Sequence, residues 1–247
     1  MNAIDFLAAA GELPVASLGE ITGGGGLVVV APHPDDESLG CGGLIAAACV
    51  SGTAVRLVVL SDGTGSHPNS RRYPPARLRD LREAETVAAA GALGLGPECI
   101  TFLRLPDRYV STAGEEAEAA VAAIGAEAAS CKAGVVCVTW PFDPHCDHVA
   151  AAHLARRATT DGPRLVFYPV WGWVLTAETE VGGPPRGCRI AVGAHAAAKQ
   201  AAIAAHRSQT TDLIDDDPDG FRLTPEMLAN FAGAYEILLD ATGEDAA

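Results

Sequence analysis

Hydrophobic residues fall along this chain in short unbroken runs separated by longer, Ala-rich stretches. Leu27 to Ala31 is a continuous apolar run, and Val55 to Leu60 one broken only by Arg56, both of the length expected for strands buried on both faces. Between them Gly42 to Val50, with Leu44 and Ile45 among alanines, reads as a helix, so the first unit is β-α-β. The alternation continues with a helix over Ala76 to Leu93, a strand at Ile100 to Leu103 and a helix over Glu115 to Lys132. A strand at Val135 to Thr139, a helix starting near Asp147 and a strand at Leu165 to Val170 follow. This alternation predicts an α/β, Rossmann-like, doubly wound and mostly parallel sheet with helices on both faces and right-handed crossovers. Gly172 to Pro185 reads as a loop, Arg189 to Val192 as an edge strand, and Ala194 to His206 and Pro225 to Leu239 as two closing helices. Residues 1 to 26 form a lead-in, and the whole of 1 to 247 is expected to be a single catalytic domain.

Composition narrows the partners more than the fold. With 31 acidic against 17 basic residues the formal charge is -14, which disfavours nucleic acid as a partner. Neither a basic leader nor a bilayer-length apolar run is present, so no stable membrane insertion is expected. Seven scattered cysteines without a Cys-x-x-Cys pair fit a reducing, cytoplasmic compartment rather than a disulfide framework. Nothing in the pattern fixes the oligomeric state, and a homo-oligomer stays open.

The chemistry concentrates at two places. Pro32-His33-Pro34-Asp35-Asp36-Glu37 follows the first strand directly, and Gly40, Gly42 and Gly43 are expected to allow tight turns before the helix. Taken alone, Asp35 and Asp36 would serve equally well as helix caps. Trp140 to His148, containing Asp143, His145, Cys146, Asp147 and His148, follows the fourth strand. Loops after different strands of a doubly wound sheet converge on one crevice, so the two clusters can meet. Two histidines and a carboxylate with an open position is a catalytic zinc pattern.

His33-Pro34-Asp35-Asp36-Glu37 with Gly40-Cys41-Gly42-Gly43, and His145-x-Asp147-His148, resemble the PIG-L/LmbE family of zinc-dependent N-deacetylases. Arg82-x-x-Glu85 with Leu93-Gly94, Leu105-Pro106-Asp107, and Lys199 to His206-x-Ser208-Gln209 extend the resemblance over roughly residues 27 to 210, leaving 211 to 247 as a helical extension. The resemblance implies one Zn²⁺ per chain held by His33, Asp36 and His148, with Asp35 as general base. It implies that His145, oriented by Asp147, stabilises the oxyanion and protonates the leaving amine, for which a cationic imidazole is preferable. Arg82, Asp107 and the Trp140 to Asp143 loop are carried over as substrate contacts, although Arg82 and Glu85 at i, i+3 also suit a simple helix ion pair.

The implied reaction is removal of the N-acetyl group from an amino sugar of the N-acetylglucosamine type. Cleavage of a larger sugar or thiol-conjugate amide would use the same groups. A metal-dependent phosphohydrolase would want more cations or a phosphate loop, and a non-catalytic sugar-binding module would have no use for Asp35. Among secondary candidates, His153 is expected to turn to solvent, His206 to cap or pack, and Cys146 to point away from the metal. Asp62 and His67 are placed at the pocket rim, and Trp171 and Trp173 beside a sugar or in the core.

Overall fold

The computed structural model describes residues 1–241, which share one seven-stranded sheet. The elements run α1 (Ala3–Ala10), α2 (Leu18–Thr22), β1 (Gly26–Ala31), α3 (Asp36–Ser51), β2 (Val55–Ser61), α4 (Pro75–Ala92), β3 (Ile100–Leu105) and α5 (Gly114–Ser130). Then come β4 (Ala133–Thr139), α6 (Cys146–Ala158), β5 (Arg164–Tyr168), β6 (Gly187–Ala191), α7 (Ala196–Ala205), α8 (Arg207–Thr210), α9 (Pro225–Ala229) and β7 (Tyr235–Asp240). The sheet order is β3-β2-β1-β4-β5-β7-β6. β1 to β5 are parallel, whereas β7 pairs antiparallel with both β5 and β6.

Alternate residues of the central strands feed two cores. Val29, Leu57, Cys137 and Tyr168 face one side with residues of α3, α4 and α7, while Val28, Val58, Val138 and Phe167 face the other with α1, α5 and α6. Because both faces are covered, the central strands carry no polar face, which is why they read as unbroken apolar runs. Chain order reverses at β1, whose neighbours are β2 and β4. That places the loops after β1 and β4 side by side at the point where open α/β sheets bind ligands.

Two expectations fail. The glycines after the first strand do not make turns, because α3 already begins at Asp36 and runs through Gly40, Gly42 and Gly43. A Cβ on Gly40 would lie 2.1 Å from the Tyr168 ring, and one on Gly43 2.4 Å from Val192 Cβ, so these glycines let α3 sit tightly against the sheet and the segment before α7. The second failure is the helix expected over Pro225 to Leu239 and, with it, the helical extension. α9 stops at Ala229, and Tyr235–Asp240 inserts as a strand between β5 and β6. Ile237 and Leu239 enter one core and Leu238 the other, a period-two pattern that a three-residue apolar run does not distinguish from helix. Residues 242–247 of the expected extension lie outside the described residues.

Candidate active site

β1 delivers His33 and α3 begins at Asp36, so the intervening turn places an imidazole and two carboxylates above the sheet's carboxyl edge. β4 delivers the opposite wall, with Asp143 in the connecting loop and Asp147 and His148 in the first turn of α6. The two segments meet. Asp36 Oδ2 lies 3.2 Å from His33 Nδ1 and 3.3 Å from His148 Nε2, and it also accepts the His33 backbone N–H at 2.9 Å. The His33, His145 and His148 rings are mutual neighbours, with centroids 4.5 to 5.3 Å apart.

The outward nitrogen of each inner histidine is held by carboxylates. His148 Nδ1 is 2.9 Å from Asp143 Oδ2, and Asp143 is itself fixed by the backbone N–H groups of Val170, Trp171 and Gly172. His33 Nε2 is 3.1 Å from Asp147 Oδ2 and 3.4 Å from Asp107 Oδ1. Such brackets orient the rings so that the opposite nitrogens, His33 Nδ1 and His148 Nε2, both face the Asp36 oxygen. His148 Nε2 is fully buried without a hydrogen-bond partner, an orphan that a cation beside Asp36 would satisfy. Imidazole and carboxylate donors of this kind fit Zn²⁺. The ligand atoms of His33, Asp107, His145 and Asp147 also cluster within 4.8 Å, so His145 stands within reach of the same space.

Charge is strongly coupled across the site. Burial opposes ionisation of His33, but Asp107, Asp147 and Asp36 outweigh it and raise its pKa well above the ordinary imidazole value. The same opposition holds for His148, where the Asp36 charge and the Asp143 hydrogen bond push it up to about 9. Asp36 and Asp107 are lowered despite burial by their histidine partners. Asp35 moves the other way: burial pushes its carboxyl up to about 7, with Arg82 pulling against it. His145 is driven down to about 4 by burial and by the positive charges of His33 and His148. Burial, and then neighbouring positive charge, therefore disfavours the cationic form of His145 that the resemblance implied. The Asp147 backbone N–H donates to His145 Nδ1, which leaves the proton of the neutral ring on Nε2.

Asp35 sits at φ 137°, a region in which residues other than glycine are strained by about 1–3 kcal/mol. Its backbone N–H donates to Glu37 Oε2 at 3.0 Å, and its carboxylate is 3.2 Å from Arg82 Nη2. Arg82 also donates to the carbonyls of Gly63 and Pro34, so it braces the Asp35 turn rather than pairing with Glu85. Asp107 accepts from the Gly65 N–H and turns its other oxygen to His33. Asp147 reaches His33 and the Arg108 and Val110 N–H groups with its carboxylate, so it orients His145 through its backbone, not its side chain.

A pocket of about 300 Å³ opens here, lined by His33, Asp35, Asp36, Arg82, Asp107 and His145. Arg108, Gln209, Trp171 and Phe221 complete its wall, the last two meeting edge to face at 5.3 Å. Asp143 is buried away from it and is a brace for His148, not the substrate contact expected of its loop. His67 is buried behind Ser66, Asp62 caps the turn at Thr64, and His153 is exposed. Cys146 is exposed with its thiol toward the Arg108 carbonyl. Sequence reasoning assigned no role to Glu37, Arg108 or Phe221. Glu37 carried a signal, its place at the end of the His33-to-Glu37 motif, while Phe221 lies in a loop with no pattern.

A doubly wound α/β fold with a His/Asp cluster at its switch point places ligand-binding side chains where such sheets bind ligands. The profile of the PIG-L family, GlcNAc-PI de-N-acetylase, matches residues 28–159, and the chain belongs to that family. A 1D-myo-inositol 2-acetamido-2-deoxy-alpha-D-glucopyranoside deacetylase of Mycobacteroides abscessus is 28% identical over 243 residues, covering 80% of this chain and 85% of the relative. The N,N'-diacetylchitobiose deacetylase of Pyrococcus horikoshii shares the fold with a TM-score of 0.68 at 20% identity, over 92% of this chain and 86% of its own. So does GalB, the 4-carboxy-2-hydroxymuconate hydratase of Pseudomonas putida KT2440, with a TM-score of 0.58 at 22% identity, over 73% and 78%. One fold thus carries hydrolytic and hydrating enzymes, and the reaction has to be argued from side chains. No helix among the described residues is long and apolar enough to cross a membrane.

Proposed function

We propose that this chain is a zinc-dependent N-deacetylase of an N-acetylated amino sugar. The observation that carries this reading is the convergence of His33 Nδ1 and His148 Nε2 on one Asp36 oxygen, with Asp35 beside it in the same pocket. In this reading His33, Asp36 and His148 would hold one Zn²⁺, which when bound would supply Lewis acidity and lower the pKa of water to about 7.

The remaining steps belong to protein groups. Asp35, poised near neutrality, accepts the proton of the attacking water and returns it to the departing amine nitrogen, as a group of matched pKa does best. Neutral His145 offers its Nε2–H to the carbonyl oxygen as negative charge develops there. Asp143 and Asp147 hold the two inner imidazoles in the orientation required for metal binding. Asp107 and Arg108 supply an acceptor and a donor for sugar hydroxyls, and Trp171 an apolar face for a pyranose ring.

Phosphate chemistry is less well served. Of the two arginines that line the pocket, Arg82 spends its Nη donors on Asp35 and two carbonyls. The test is a panel of N-acetylated sugars assayed for acetate, run beside phospho-sugars assayed for phosphate. Acetate release from at least one member supports the reading, and phosphate release alone overturns it.

A further inference from the structure

The turn His206-Arg207-Ser208-Gln209 lies more than a hundred residues from the metal-site segment that opens α3, yet it is built into the floor behind Asp35. His206, Ser208 and Gln209 are buried, and only Gln209 lines the pocket. Two routes link this turn to Asp35, one a chain of hydrogen-bond contacts and one that passes through the α4 helix. In the first, His206 Nε2 lies 3.0 Å from Glu37 Oε1, to which the Ser38 hydroxyl also donates at 2.7 Å. The other oxygen of Glu37 accepts the Asp35 backbone N–H. In the second, the Ser208 N–H and hydroxyl both donate to the Glu85 carboxylate, at 2.8 and 2.6 Å. Glu85 sits on α4 three residues after Arg82, whose guanidinium holds the Asp35 carboxylate.

We propose that the His206–Gln209 turn, acting through Glu37 and Glu85, is a positioning device that keeps Asp35 in its positive-φ conformation with its carboxylate directed into the pocket. The inference rests on Asp35 being the proton acceptor of the proposed reaction. A residue with a Cβ leaves φ 137° unless its surroundings hold it there, and the hydrogen bond from its own N–H to Glu37 is the direct restraint. Burying a carboxylate and an imidazole together, as in Glu37–His206, is an inefficient way to gain stability alone, since desolvation opposes their attraction. Its placement directly behind one strained carboxylate points to geometry as its purpose. His206, Glu37, Ser208 and Glu85 are thus positioning residues that do not touch substrate.

Three variants test this: Glu37→Gln, which keeps an acceptor for the Asp35 N–H, Glu37→Met, which removes it, and Ser208→Ala, which deletes the hydroxyl bond to Glu85 and leaves the backbone one. Crystal structures give the Asp35 φ, metal analysis the zinc content, and acetate release kcat and KM. Glu37→Met is expected to let Asp35 leave positive φ and to lower kcat about 100-fold, with KM within about threefold and zinc content unchanged. Glu37→Gln should retain the conformation and stay within about tenfold of wild-type kcat, and Ser208→Ala should lose about tenfold in kcat alone. Where Glu37→Met gives no folded protein, Glu37→Gln against Ser208→Ala decides. Asp35 unchanged in Glu37→Met, equal losses in the two Glu37 variants, or losses carried by KM would each overturn the proposal. The φ measurement needs no substrate. A wild type that releases no acetate would therefore sink the reaction without deciding the brace.

Discussion

His145 is the residue whose role depends most on the charges around it. Burial first, and then neighbouring positive charge, lowers its imidazole pKa to about 4, and in the proposed reaction it donates a hydrogen bond through Nε2 rather than acting as a cationic acid. His145→Ala is therefore expected to lower kcat about 10²- to 10³-fold, the usual loss of an oxyanion donor, while bound zinc stays near one per chain. Metal analysis of the purified variant checks this, and loss of the metal would move His145 into the ligand set. Asp143 makes the complementary case. It touches no pocket surface, yet it fixes His148 Nδ1 and is fixed by three backbone donors. Asp143→Asn should weaken zinc binding about 10- to 100-fold in a chelator competition, the size of effect expected for an outer-shell partner of a ligand.

At the scale of elements, α3 carries one wall of the site and packs against its neighbours with no room for a side chain at Gly40 or Gly43. Gly40 sits where a methyl group would meet the Tyr168 ring at 2.1 Å. Gly40→Ala should cost about 1–3 kcal/mol in urea unfolding, against a helix-propensity gain of about 1 kcal/mol at an open position. The strands and most helices were legible in the sequence because burial on both sheet faces writes itself as apolar runs. The start of α3 was not, since Asp36 and Glu37 are charged residues buried by partners far along the chain, which no local pattern reveals. β7 escaped notice for a related reason: its central apolar residues fit either period, and only the pairing with β5 and β6 selects the strand. The His/Asp cluster was legible as residue types at the ends of two strands. The direction of the Asp147 carboxylate, toward His33, was not, because it depends on backbone donors of the 108–110 loop.

Across the whole molecule, the late-arriving strand is tied to the helix that bears the site. Glu236 of β7 accepts the backbone N–H groups of Gly43 and Leu44 in α3 and pairs with Lys199 of α7 at 2.7 Å, all of them buried. Removing the carboxylate leaves an ammonium in the core, so Glu236→Ala should lose about 3–5 kcal/mol of stability by chemical denaturation. A loss below about 1 kcal/mol would show that water or another group replaces the carboxylate, as at an exposed ion pair.

The account turns on a divalent ion gripped by segments from opposite sides of β1. Its most direct test is acetate release from an accepted substrate, followed on one sample as metal is stripped with a chelator and zinc is returned stepwise. Activity should vanish with the metal and return in proportion to added zinc, saturating at one equivalent per chain. Full activity in protein exhaustively freed of metal would contradict it.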